Sequence, residues 1–356
     1  MTIKPSLNWL LAFVPVTLLL EKSHAAPPLI FFSAALAIIP AAHLIVEATE
    51  HIARRTGDAI GGLLNATFGN APELIIAVVA LRAGLLDMVR ASIAGAILAN
   101  LLLALGIAFL LGGLRFHTQT YNVAAARLYS SMMLVAVVSL MVPSSFSRFF
   151  APGETLREEA LLNVGLAVVL LAAYVLYLVF MLKTHADEFK AEQGGHESHG
   201  PRWSLPRAIG GLVVASLLAA WMSEVLVGAA EATGEALGMS QVFIGIVFLA
   251  IVGGAAESSS AIAMARKNKM DLTLGIALGS CIQIALFIAP VLVLASYFVA
   301  PRPLELSFNR AEIGALFMAV LIAAVVAGDG RSNWYKGVQL IAVYLIVALM
   351  FYFIPL

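Results

Sequence analysis

The sequence predicts an all-α integral membrane protein of about eleven transmembrane helices: one leading helix plus two inverted five-helix repeats. Three observations carry this. Of 356 residues, 61% are hydrophobic and only 12% charged, with a mean hydropathy of +0.96, whereas a soluble domain carries about 25% charged residues. Apolar stretches of about 20 residues, the length a helix needs to cross hydrocarbon, recur along the whole chain. The two halves of the chain also repeat one another at a single fixed offset, the one that carries Glu73 onto Glu257. Lys plus Arg equals Asp plus Glu at 21 each, so no basic surplus exists to neutralise phosphates and no nucleic-acid partner is expected.

A short run over 7–20 leads. The residues after it have some character of a signal-peptide junction, but Glu21, Lys22 and His24 suit cleavage poorly, so the run is read as a retained helix. Ten helices follow at 29–53, 61–82, 90–112, 120–141, 157–181, 205–235, 241–265, 272–299, 309–328 and 335–355. The organisation is therefore a leading segment over 1–28, a first repeat over 29–182, an acidic and His-rich linker over 183–204, and a second repeat over 205–356. The linker carries His185, Asp187, Glu188, Glu192, His196, Glu197 and His199 and reads as solvated chain, metal capture being the other reading. With the N-terminus inside, thirteen loop Lys and Arg residues fall on that side and seven on the other. This asymmetry predicts a cytoplasmic N-terminus; the expected location is a prokaryotic plasma (inner) membrane. The lone Cys281 lies in an apolar run and reads as a small buried hydrophobe.

Laying the first half on the second at that offset puts Glu47-Ala48-Thr49 on Glu231-Ala232-Thr233. It also puts Gly69 on Gly253, Ala71 on Ala255, Glu73 on Glu257, Arg82 on Arg266, Asp87 on Asp271 and Gly95 on Gly279. Five spans per unit is an odd number, so the second unit enters the membrane upside down. Inverted repeats of this kind hold their substrate near the midplane, where the repeats meet.

The stretch "FGNAPELIIA", Phe68 to Ala77, places Glu73 in an apolar helix, where a charge costs about 2.5–3.5 kcal/mol on insertion scales. Pro72 has no N–H, so the helix is predicted to kink there and leave the Phe68 carbonyl without its helical donor. Gly69, Gly253 and Gly254 loosen the two segments further. Carbonyls at Phe68, Gly69 and Gly253, the amide of Asn70 and the carboxylates of Glu73 and Glu257 form an oxygen-rich metal site. A hard divalent cation such as calcium takes six to eight oxygens at about 2.3–2.6 Å. The same carboxylates can carry protons when the metal is absent, and a site that holds either is the minimum needed for antiport. A single intramembrane glutamate is also compatible with helix pairing, but two at equivalent repeat positions argue against that reading.

His43, Glu47 and Glu50 share one helix face at i, i+4 and i+7, and Glu224, Glu231 and Glu235 share another at i, i+7 and i+11. Two readings stand: an acidic proton and cation pathway, or helix-end solvation and pairing. Asn100 and Gln283 are predicted to support the kinked segments by hydrogen bonds, alongside Pro72 and Ser258. Arg82 with Asp87, and Arg266 with Asp271, read as structural ion pairs. A paired-Asp signature, an HExxH motif and a Ser/His arrangement are all missing, so no enzyme and no cofactor is expected.

"GGLLNATFGNAPELI" resembles the first signature segment of the cation/proton exchangers within the calcium/cation antiporter superfamily, and "FIGIVFLAIVGGAAES" resembles the second. The likeness runs from about His43 to Phe116 and from Ser223 to Leu294. It implies a calcium/proton antiporter working by alternating access, with calcium and protons as substrates and a metal site at Glu73 and Glu257. The second segment departs from the family's Gly-Asn-Ala-Ala-Glu-His: Gly254 replaces Asn and Ser258 replaces His, so the roles of those two residues do not carry over. Sodium-coupled relatives place Ser and Thr beside their glutamates. Here Ala71 and Pro72 flank Glu73, but Ser258, Ser259 and Ser260 follow Glu257. The alternatives are thus a sodium- or potassium-coupled cation exchanger, or a proton-coupled manganese or magnesium transporter. The sequence carries no signal for oligomeric state.

Overall fold

In hydrocarbon every backbone N–H and C=O must be satisfied within the protein, and this chain does so with helices. The structure, a computed structural model, describes residues 7–56, 61, 63–64, 67–146, 156–185 and 203–354. The linker residues 186–202, with most of its predicted acidic and histidine side chains, lie outside them. A 3₁₀ turn, Leu7–Ala12, leads into α1 (Phe13–Lys22), which packs on α2 (Pro27–Thr56) and is shorter than a full span. Next come α3 (Ala71–Arg82), α4 (Leu86–Phe116), β1 (Thr118–Thr120), α5 (Val123–Ser145) and α6 (Glu158–Thr184). The second half contains α7 (Leu205–Leu237), α8 (Gln241–Gly253), α9 (Ala255–Ala265), α10 (Met270–Val299), α11 (Arg310–Ala327), β2 (Arg331–Asn333) and α12 (Trp334–Tyr352). Among the described residues, eight helices are long and apolar enough to span a membrane, and α8 and α9 form a ninth span bent by 58°.

The element boundaries themselves repeat at the sequence offset. α4 begins at Leu86 and α10 at its counterpart Met270, and α3 begins at Ala71 and α9 at its counterpart Ala255. Both α4 and α10 also carry a π-helical segment, Ala99–Ala104 and Ile284–Ile288, a local widening common near functional sites. α2 and α7 pack along each other. At the crossing of α4 and α10, the Cys281 thiol lies 3.6 Å from the carbonyl of Ile97, its own counterpart in the first half.

Small residues set how closely the helices approach. A Cβ at Gly95 would collide with the backbone of Ile246, and one at Gly245 would lie 2.7 Å from both the Ala91 Cβ and the Met88 carbonyl, so α4 and α8 touch backbone to backbone. Gly279, the counterpart of Gly95, has open space where a Cβ would go.

Counting crossings puts the loops after α4, α9 and α11 on the face that carries the linker. There β1 and β2 pair antiparallel with Gln119 opposite Ser332, and the Gln119 amide donates to the Ala265 carbonyl (2.9 Å) and to Asn268 Oδ1 (2.8 Å). Lys336 Nζ donates to Asp329 at 2.6 Å. Partial burial pushes the Asp329 carboxyl pKa up, but hydrogen bonds from Lys336 and the backbone outweigh it and hold the group below its ordinary value. The expected ion pairs are rearranged. Arg82 approaches Glu224 (4.0 Å), Asp87 pairs with Arg90 one helical turn on, and Asp271 accepts from the backbone N–H of Asn122 (2.7 Å).

Candidate functional site

The predicted kink at Pro72 is a complete helix break, and it falls earlier. Gly69 and Asn70 form a turn, and Pro72 stands in the first turn of α3, where a missing N–H costs nothing and the fixed φ suits the helix. On the other side Gly254 separates α8 from α9. Asn70 and Gly254 are the N-cap residues of α3 and α9, and Glu73 and Glu257 are each the third helical residue. Each carboxylate therefore sits at the positive end of a helix dipole.

Asn70 does not cap its helix, because its side chain is directed into the site. Its Nδ2 donates to Gln283 Oε1, and its Oδ1 accepts from the Ser280 hydroxyl at 2.6 Å. Ser280 Oγ also contacts Glu257 Oε2 and accepts from Asn100 Nδ2 at 3.2 Å. A hydroxyl has one hydrogen. Ser280 therefore bonds Asn70 and Glu257 together only when Glu257 itself carries a proton and donates it. Side chains from α4, α9 and α10 and from the turn before α3 meet in this one network.

Glu73 lies beside it with only 9% of its surface exposed, and neither carboxylate oxygen accepts a hydrogen bond among the described residues. Its charge interacts with that of Glu257, which is half-buried. A buried carboxylate without donors beside a second carboxylate requires a cation or a proton to offset its charge. Gly253 leaves room for Glu73, since a Cβ there would lie 2.9 Å from the Glu73 Cγ. A Cβ on Gly254 would point towards Glu73 Oε1 (3.6 Å) and Asn100 Oδ1 (3.9 Å). The amide of Asn100 thus occupies the neighbourhood that an asparagine at 254 would reach. On one side Glu73 borders a largely apolar cavity lined by Ile93, Ala96, Leu249 and Ile284, with Ser92 as its other polar side chain.

The other predicted residues are distributed differently. Gly69 is buried at the break, and Phe68 packs against the small cluster of Ala41, Ile45, Ala215 and Ala219 between α2 and α7. His43, Glu47 and Glu50 are half-buried on α2, whereas Glu224, Glu231 and Glu235 are exposed on α7. Glu224 neighbours Arg82, and Glu231 accepts a long 3.5 Å bond from Gln241. Ser258 is half-buried in the first turn of α9, and the Ser259 hydroxyl donates to its own helix at the Ala255 carbonyl (2.7 Å). Ser280 is the site residue that the sequence does not single out; its spacing of i, i+3 from Gln283 on a spanning helix is the available signal.

The sequence matches the family described as "Sodium/calcium exchanger protein" over residues 26–183 and 207–353. It is 42% identical to a Ca(2+)/H(+) antiporter of Aphanothece halophytica, covering 97% of this chain and 96% of that protein. It is 40% identical to the Ca(2+)/H(+) antiporter ChaA of Bacillus subtilis, covering 96% and 97%. Its fold is similar to the solved structure of native YfkE, with a TM-score of 0.84, 37% identity and 98% and 99% of the two chains covered. On the family match and these full-length relatives, the chain belongs to the sodium/calcium exchanger protein family.

Proposed function

We propose that this protein is a secondary transporter that exchanges calcium for protons by alternating access. The observation that carries this is the buried, donor-free carboxylate of Glu73 facing Glu257 across a break in two helices. With protons on the glutamates, the Ser280 hydrogen bonds close the network. With a divalent cation, the carboxylates, the Asn70 amide and the carbonyls at the breaks supply hard oxygen ligands. The two occupants use the same lone pairs, so they exclude one another and each departs as the other arrives. Full-length relatives that are Ca(2+)/H(+) antiporters support the choice of substrates. The Ser259 hydroxyl, spent on its own helix, and the Ala71 and Pro72 neighbours of Glu73 favour protons over sodium as the counter-ion. The positive-charge asymmetry favours a cytoplasmic N-terminal side, and the bacterial relatives favour a plasma (inner) membrane location.

The test is proton release on metal binding. Calcium added to weakly buffered purified protein releases protons in proportion to the sites filled, and Glu73→Gln and Glu257→Gln abolish the release. Calcium binding without proton release, or release undiminished in both variants, overturns the shared site.

A further inference from the structure

At the linker-face ends of α2 and α7, two arginines surround Trp203 without a carboxylate partner among the described residues. Arg55, near the end of α2, donates to the Trp203 carbonyl. Arg207, in the first turn of α7, places its guanidinium carbon 4.9 Å from the centre of the Trp203 ring. The indole also stacks on His51, with ring centres 4.9 Å apart and planes 18° apart. Gly211 provides its seat, since a Cβ there would lie 3.0 Å from Trp203 Cζ3. Both arginines are exposed, and a tryptophan flanked by cations at a span boundary marks the headgroup level of a bilayer.

The surface running away from Arg207 into the membrane is apolar and notched. Gly210, Val214, Leu217 and Trp221 follow it at i+3, i+7, i+10 and i+14 and share one helix face. Gly210 has open space where a side chain would be, and Val214, Leu217 and Trp221 are 66%, 66% and 48% exposed. The stripe reaches about 21 Å from the interface at 1.5 Å per residue. Two guanidinium groups without a carboxylate partner among the described residues at one end, and a glycine-notched apolar track beneath them, match one chemical class. We propose that this is a binding site for one anionic phospholipid, its phosphate held by Arg55 and Arg207 and one acyl chain lying along Gly210, Val214, Leu217 and Trp221. The lipid bridges an arginine of α2 to one of α7, and so ties together the ends of the two helices.

Native mass spectrometry of the full chain tests this, with phosphatidylglycerol, phosphatidylcholine of the same acyl chains, and inorganic phosphate as probes. Phosphatidylglycerol is expected to stay bound at least tenfold more tightly than phosphatidylcholine. The Arg55→Gln/Arg207→Gln double variant loses that preference, Arg207→Lys keeps most of it, and Gly210→Leu, which fills the notch away from Trp203, weakens phosphatidylglycerol while leaving the fold unchanged. Equal binding of the two lipids, an undiminished preference in the double variant, or displacement of phosphatidylglycerol by an equal concentration of inorganic phosphate overturns the proposal.

Discussion

Glu73 and Glu257 are each the third residue of their helices, α3 and α9, but their surroundings differ. Glu73 is sealed and without donors, whereas Glu257 contacts Ser280, a serine whose counterpart in the first half is Ala96. Removing the Ser280 hydroxyl leaves the Asn70 Oδ1 and Glu257 without their shared partner, at a cost of about 1–3 kcal/mol for a buried unsatisfied group. Ser280→Ala is therefore expected to raise the apparent KM for calcium about tenfold in transport assays while the protein still folds; an unchanged KM would remove Ser280 from the site. The two glutamates are legible in the sequence because a charge in an apolar span is costly and because both recur at one offset. Ser280 is not, since a lone serine costs little in a helix and satisfies itself in many ways. The partners of Arg82 and Asp87 are illegible for a related reason: sequence proximity does not say which way a long side chain turns, and Glu224 of α7 reaches Arg82 instead.

At the scale of elements, length and hydropathy locate the spans, and the proline and glycines locate the weak points of the helices at 61–82 and 241–265. The form of the interruption is less legible. Proline inside an apolar run reads as a kink, yet a proline in the first turn of a new helix is equally compatible with the local chemistry, and packing against α8 decides between them. The glycines make an element-scale prediction. Gly95 lies against the backbone of Ile246, while Gly279, though buried, has open space where a Cβ would go. Backbone cannot retreat as a side-chain tip can, so overpacking there costs about 1–3 kcal/mol or more. Gly95→Ala is expected to lower the melting temperature of the purified protein by several degrees, and Gly279→Ala to leave it within about a degree. Equal shifts would contradict the close packing of α4 on α8.

At the scale of the molecule, the two halves meet at the site and are tied again at the linker face by β1, β2 and their neighbouring loops. The Asp329–Lys336 pair belongs to that tie. Because the folded Asp329 carboxyl is held below its ordinary value, its stabilising contribution is present above the unfolded pKa and is lost as pH falls through the folded one. Asp329 is 56% exposed in its side chain, so the effect is the small one of a surface pair, about 1 kcal/mol or less. Asp329→Asn should lower the melting temperature by about a degree at pH 7, and this effect should shrink as pH falls below the ordinary carboxylate range; a shift that does not diminish in acid would assign the loss to packing. The inverted arrangement of the halves is visible in the sequence as an odd number of spans per repeat, whereas their contacts at the linker face depend on loop conformations that no periodicity encodes.

The central claim is that one pair of carboxylates carries both ions. Calcium uptake into proteoliposomes under an imposed pH gradient, with and without a sodium gradient, measures it most directly. Uptake is expected to follow the pH gradient, to ignore sodium, and to fall at least about a hundredfold in both Glu73→Gln and Glu257→Gln. Uptake that follows sodium and ignores pH, or that survives in both variants, would contradict the account.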